Sequence, residues 1–279
     1  MKAKTIQTVL FALLCVATGS TVAQGLGAGS IFSRVDDQAK KVTAAYAAIH
    51  DPEREEAARI AREKAEREAR AREKPILPII SEIISGMVQI PGKGYKMGKT
   101  EVTQAQWEAV MGNNPSKFKG ANNPVENVSW VDCQEFLKKL NALPSVRESG
   151  LVFRLPAEQE WEYACRAGST GDYCKLADGT EITESTLREV AWYDDNSKRT
   201  THPVGQKKPN AFGLYDMHGN VWEWCEDLYQ AGNSSRVRRG GSWSNLSGLC
   251  AAGNRVSYGP DSRFNRLGFR LAASQDVNR

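Results

Sequence analysis

Asn210-Ala211-Phe212-Gly213-Leu214-Tyr215-Asp216-Met217-His218-Gly219-Asn220-Val221-Trp222-Glu223-Trp224 is the stretch whose reading decides the fold. It sets turn formers (Gly213, Gly219, Asn220) among large apolar side chains, a pattern of tight turns held by aromatic anchors. Downstream come Arg239-Gly240-Gly241-Ser242-Trp243 and then Leu267-Gly268-Phe269-Arg270-Leu271. Upstream lie Glu101-Val102-Thr103-Gln104-Ala105-Gln106-Trp107, Asn123-Pro124-Val125 with Val128-Ser129-Trp130, and Phe153-Arg154-Leu155-Pro156-Ala157-Glu158-Gln159-Glu160-Trp161-Glu162-Tyr163-Ala164. Trp107, Trp130, Trp161, Trp222 and Trp224 are the expected core anchors, and Trp243 is expected to border a groove.

In this order and spacing the segments resemble the formylglycine-generating-enzyme, or sulfatase-modifying-factor, domain family over residues 86–273. The resemblance implies an α+β fold, a variant of the C-type-lectin-like architecture. It is low in regular secondary structure and stabilised by buried aromatics and often by calcium. Most members carry a long insertion where this chain has only Lys99-Thr100. That shortening is expected to remove a surface hairpin and leave the core intact.

The 279 residues are 41% hydrophobic and 25% charged with net charge +4, ordinary for a globular protein. No dense basic patch is interleaved with aromatics, which argues against a nucleic-acid partner. Lys2 and Lys4, the apolar run Val9 to Ala17 and the small residues Thr21-Val22-Ala23 read as an export signal over 1–23. The run is too short for a membrane span. The expected destination is the periplasm, the cell surface or the extracellular space. Cleavage would leave Cys133, Cys165, Cys174, Cys225 and Cys250, an odd number in an oxidising compartment. Cys165 and Cys174 flank a Gly-containing loop and are the best candidates for a disulfide.

Residues 24–50 read as a flexible leader with a possible helix from Asp37 to Ile49. Asp51-Pro52 can cap a charged helix over 51–74, in which Glu and Arg recur at three- and four-residue spacing. With almost no large apolar residue it reads as a solvated spacer, or else as a docking helix for an envelope complex through residues 53–74. Pro75-Ile76-Leu77-Pro78 is expected to end it, leaving 75–85 as a linker before the domain at 86–273 and a tail at 274–279. Within the domain, helices are expected at Gln104 to Met111 behind a Thr103 cap, at Asn127 to Leu143 and at Ala157 to Ala167.

Four chemistries are on offer. Asp216 and Glu223 are hard oxygen ligands, and the turn between them can aim the Gly219 and Val221 carbonyls inward, a donor set suited to calcium. The resemblance places the family's inner calcium on these four residues; the alternative is a buried turn whose acids are met by backbone donors. The family's second calcium needs a longer loop and is not carried over. The resemblance also implies copper(I) held by two soft thiolates. Those positions are Asn245 and Cys250 here, after Ser242. Asparagine supplies no thiolate, so copper binding and conversion of a substrate cysteine to formylglycine are not expected, and Cys250 is the one catalytic candidate left. The iron site of ergothioneine-type oxygenases needs clustered histidines, whereas His50, His202 and His218 are scattered. His218 reads as a hydrogen-bonding turn residue.

The fourth chemistry is binding. Trp222, Ser242, Trp243, Ser244, Asn245, Tyr258 and Phe264 would line a groove rich in the residue types of adaptable binding loops. Its occupant would be a protein, peptide or glycan. The stretch is similar to the variable region of lectin-like proteins diversified by retroelements. Arg255 and Arg270 are candidates for burial against Asp216, Glu223 or Asp261. The expectation is an exported non-oxidase binding domain. The alternatives are a copper-dependent sulfatase-maturing oxidase and a diversified surface receptor.

Overall fold

The computed structural model describes residues 37–42 and 51–276. The expected export signal (1–23), most of the leader (24–50) and the tip of the tail (277–279) lie outside the described residues. Two units are distinguished, one up to Arg67 and one from Glu68 onward.

In the first unit, residues 37–42 are helical. Helix α1 (Pro52–Glu73) begins there and runs past Arg67. Asp51 Oδ1 caps it by accepting the Glu53 amide at 3.0 Å, with Pro52 at the first helical position, where its missing N–H has no bond to lose. Arg59 pairs with Glu56 and Glu63 at 2.6 Å each along the exposed surface, the spacing that supports a lone helix.

The second unit opens on the last turn of α1. Glu73 is buried and accepts from the Ser145 amide and hydroxyl, and Arg70 pairs with Glu148. The expected linker at 75–85 is instead a 3₁₀ turn (Lys74–Ile76) leading into helix α2 (Leu77–Ser85). Pro75 and Pro78 each fall at a helix start, where proline is tolerated, so they initiate and do not break. Ile80 and Ile83, three apart on one face, are buried in the main core. The domain therefore begins before residue 86.

Strand β1 (Met87–Gln89) pairs antiparallel with β2 (Lys96–Gly98), in register Met87 to Gly98. Helix α3 (Gln104–Met111) starts at a reciprocal cap in which the Thr103 hydroxyl accepts the Gln106 amide and the Gln106 side chain accepts the Thr103 amide, a pairing worth about 1 kcal/mol. Helix α4 (Trp130–Ala142) has the same device at Ser129 and Asp132. It starts three residues later than expected because Asn127 is in the left-handed region. Helix α5 (Pro144–Ser149), strand β3 (Leu151–Arg154) and helix α6 (Glu158–Arg166) follow. After α6 the chain is turn-rich, with the parallel pair β4 (Ala191–Trp192) and β5 (His218–Gly219).

Strand β6 (Trp222–Leu228) forms a second sheet with β7 (Arg236–Arg239), β8 (Val256–Tyr258) and β9 (Leu267–Gly268), in the order β8-β7-β6-β9. The last strand, β10 (Ala272–Gln275), returns between β2 and β3 in the first sheet. The fold is α+β, as the motifs imply. Trp107 stacks on Phe136 at 5.4 Å, and Phe269 meets both rings edge-on. Trp161, Trp222 and Trp224 are fully buried, whereas Trp130 is only half-buried at the rim.

Candidate functional site

The 216–223 turn positions everything around it. Asp216, Gly219 and Asn220 all have positive φ. A Cβ on Gly219 would lie 2.1 Å from the Trp192 carbonyl oxygen, so this position admits only glycine. Asn220 donates to Glu101 Oε2 at 2.7 Å, and the Val221 amide donates to Glu101 Oε1 at 3.0 Å. Glu223 takes a bidentate pair from Arg270, at 2.7 Å from Nε and 2.6 Å from Nη2, and a third bond from the Trp161 indole at 2.6 Å. Arg270 also donates to the Gly98 and Tyr215 carbonyls and is fully buried. Its expected burial and pairing are met at Glu223. Arg255 pairs with Glu158, none of the three expected acids, and stays partly exposed.

Three buried acids thus surround one guanidinium. Burial, then the charges of Asp216 and Glu223, push Glu101 well above the usual carboxylate range. Burial likewise raises Asp216 to about 6, partly offset by the Gly205 amide on Oδ2. Asp216 Oδ1 is buried with no partner. Of the calcium set expected from Asp216, Gly219, Val221 and Glu223, the two carboxylates share one buried cluster with Arg270. Asp216 Oδ1 is free to ligate, but both oxygens of Glu223 are bound to Arg270, which already supplies the local positive charge. Among the described residues no three His, Cys, Asp or Glu side chains form a metal-binding group.

Of the two positions that the resemblance gives to thiolates, Asn245 carries an amide and Cys250 lies under the Gly240-Gly241 turn. Gly240 and Gly241 have positive φ, and a Cβ on Gly241 would sit 2.5 Å from Cys250 Sγ. Cys250 is fully buried under this turn, and burial pushes its thiol up to about 12. Burial thus favours the thiol over the more reactive thiolate at Cys250. Asn245 Oδ1 accepts from the Ser242 hydroxyl at 2.5 Å and from the Trp222 indole at 2.9 Å. Its amide locks the position at which the enzymes carry their first thiolate.

The expected Cys165–Cys174 disulfide is absent; the five cysteines from Cys133 on are free and buried. Cys165 packs in the Trp161 cluster and Cys174 in a separate cluster around Leu187 and Cys250. His218 stands at their junction: the Cys174 amide donates to Nε2 at 3.1 Å, and Nδ1 lies 2.7 Å from the Cys250 carbonyl. Burial lowers its pKa to about 4, so it is a neutral structural link with Nδ1–H as donor.

The seven expected groove residues join into one strip. Trp222 and Ser242 are its buried floor, while Trp243, Ser244, Asn245, Tyr258 and Phe264 are half-buried. Ser242 Oγ reaches Ser244 Oγ at 3.3 Å. Trp243 donates its indole N–H to the Asn265 carbonyl and meets Phe118 edge-on. Tyr258 and Phe264 lie 4.5 Å apart. What bridges Trp222 to Tyr258 was not read from the sequence. It is the guanidinium of Arg238, 4.5 Å from the Trp222 ring and 3.9 Å from that of Tyr258. Arg266 adds a second cation beside the same hydroxyl. The available signal was Arg236-Val237-Arg238-Arg239 in a strand, where a two-residue period separates Arg238 from Arg239. A cleft of about 610 Å³ lined by Thr170, Tyr173, Ile182, Glu184, Gly248 and Ala251 includes none of the seven.

With this geometry in hand, residues 61–275 match the sulfatase-modifying factor enzyme 1-like domain. The chain belongs to this family. Its match to the chaperone protein LppX of Paenibacillus barcinonensis is 34% identical and covers 53% of this chain and 69% of that protein. The formylglycine-generating enzyme of Streptomyces coelicolor is 32% identical over 63% of this chain and 60% of its own. The inactive C-alpha-formylglycine-generating enzyme 2 of Mus musculus is 32% identical over 62% of this chain and 56% of its own. The chain thus spans somewhat more than half the length of the last two. Among solved structures, Treponema denticola variable protein 1 superposes with TM-score 0.56 at 33% identity, covering 67% of this chain and 91% of that one. PvdO from Pseudomonas aeruginosa gives TM-score 0.53 at 26% identity, covering 64% and 80%. The sulfatase-modifying-factor domain match begins inside α1, in keeping with a domain that starts before residue 86.

Proposed function

We propose that this protein is an exported, non-oxidase member of the sulfatase-modifying-factor family that binds a peptide, protein or glycan along the strip from Ser242 to Phe264. The observation that carries the reading is Asn245. Its side chain occupies the first thiolate position and ties down Ser242 and Trp222, while Cys250 beneath it is a buried, protonated thiol. Without two thiolates there is no soft pair for copper(I). The inactive mouse relative is a precedent for the family fold without the oxidase activity, and a chaperone-named relative fits a protein-binding role.

Mass spectrometry of a cysteine-containing sulfatase-motif peptide after incubation with the protein, copper and oxygen tests the non-oxidase half. No aldehyde is expected. Aldehyde formed by the natural protein would overturn the reading. Product from Asn245→Cys alone would identify Asn245 as the block. Peptide and glycan arrays probed with the protein and with Tyr258→Ala test the binding half, and loss of every hit in the variant is expected.

A second reading draws on the likeness to a protein titled a variable protein. In it, the half-exposed positions between Ser244 and Asn265 are diversified between strains. Sequencing this segment in several isolates decides it: substitutions confined to these positions support it, and uniform sequence refutes it.

A further inference from the structure

Most arginines packed against this domain have a carboxylate. Arg154 pairs with Glu160, Arg166 with Glu162, Arg239 with Glu158 and Glu162, Arg255 with Glu158, Arg263 with Asp132 and Arg270 with Glu223. Arg236, Arg238 and Arg266 break the pattern, with no carboxylate within ion-pair distance among the described residues; Arg236 still reaches the Glu226 carbonyl and covers Trp130, whereas Arg238 and Arg266 share the Tyr258 side. Arg238 is more than nine-tenths buried. Its Nε and Nη1 have no hydrogen-bond partner, and its plane is held between Trp222 and Tyr258. Arg266 is half-buried, stacks over Phe264 at 5.3 Å and places Nη2 3.4 Å from the Tyr258 hydroxyl.

A buried guanidinium with free donors and a like charge nearby is costly to maintain unless a counter-charge arrives. The electrostatics agree. Burial brings Arg238 down to about 10, with Arg266 adding to the fall. Burial alone would raise Tyr258, but the Arg266 bond and the two positive charges bring it below its ordinary value.

The same place offers a backbone docking edge. β8 is the outer strand of its sheet and pairs only with β7, in register Arg238 to Val256 and Arg236 to Tyr258. Among the described residues no backbone hydrogen bond reaches Val256–Tyr258 from the other side. An extended chain added there places alternate side chains on the face that carries Arg238 and Tyr258.

We infer that the groove takes an extended acidic peptide, which pairs with the free edge of β8 and sets an Asp or Glu carboxylate against Arg266, the Tyr258 hydroxyl and Arg238. This rests on the ligand-binding reading above and assigns the ligand's chemistry. A sugar could supply a carboxylate too, but it has no backbone to meet the edge, so the peptide is favoured.

The test is calorimetric titration of the full protein with a short blocked peptide alternating Glu and Thr. The controls are its Gln/Thr counterpart and an oligosaccharide of uronic acids. The Glu/Thr peptide is expected to bind, to weaken as salt is raised, and to lose about tenfold or more in affinity with Arg266→Gln, since charge-assisted bonds are the strong ones. Tyr258→Phe keeps the ring and removes the hydroxyl, so it should lose less. Equal binding of the Gln/Thr peptide, or no effect of Arg266→Gln, overturns the acidic assignment and leaves the groove reading standing. Tighter binding of the uronic oligosaccharide overturns the peptide assignment. Absence of titration with every probe overturns the inference, while the arrays judge the groove reading separately.

Discussion

Asp216 is the residue on which the rival accounts of the central turn divide. Its ordinary pKa of 3.8 rises to about 6 on folding. A carboxyl with a raised folded pKa holds a proton that the unfolded chain has already released. Its contribution to stability is therefore greatest below about pH 4 and declines as pH rises to about 6, by up to roughly 3 kcal/mol. Asp216→Asn keeps an acceptor for the Gly205 amide and removes the buried charge. It should raise the melting temperature at neutral pH and flatten the fall between pH 4 and pH 6. Thermal melts with calcium and with a chelator discriminate further. With Arg270 as the resident cation, both should give the same curve. A calcium-held turn would be destabilised by the chelator and by Asp216→Asn. The Arg270–Glu223 pair behaves oppositely: Arg270→Met strands a buried carboxylate and should cost about 3–5 kcal/mol, read by chemical denaturation. This turn was legible as a unit because Gly219, Asp216 and Glu223 are distinctive residues at fixed spacing. Which cation sits on Glu223 was not, since Arg270 is 47 residues downstream of it and only the fold brings them together.

Local signals read well where a helix carried its own cap. Thr103 closes its cap with Gln106 within four residues, so no tertiary information was needed to place the start of α3, whereas α4 was found from its apolar spacing and its start at the Ser129 cap was missed by three residues. Helix α2 was misread because two prolines were taken for a break when each lies at a helix start. The consequence is testable at the same scale. A linker would tolerate Ile83→Ala, but Ile83 is buried in the main core and its truncation should cost about 2–5 kcal/mol in an equilibrium unfolding experiment. Strand β7 shows a different loss of information. Arg238 and Arg239 are chemically identical neighbours, yet Arg239 reaches Glu158 and Glu162 beneath the sheet while Arg238 lies between aromatic rings on the other face. Composition counts them alike, and only the strand period separates them.

The whole domain is stabilised without cross-links. Five cysteines from Cys133 on, in a chain whose sequence leads to an expectation of export, invite a disulfide framework, but here every one of those thiols is buried and unpaired. Burial and polar bonds take the place of staples. The domain buries four tryptophans, and it closes its loops with polar bonds such as those of Glu101 to Asn220 and Val221 and of His218 between two cysteine-bearing segments. Burial also pushes these thiols up, to about 12 at Cys174 and Cys250, so they react slowly even with an oxidant at hand. Alkylation followed by intact-mass measurement checks this. The native protein, purified without reductant, should take no label on these five residues, and all five should label once it is unfolded in denaturant. If only three label, two are joined; Cys165 and Cys174 would be the first pair to map, and the packing described around His218 would have to give way to a bond between them. Five labels in the unfolded chain and none in the folded one would mean that burial alone protects all five thiols.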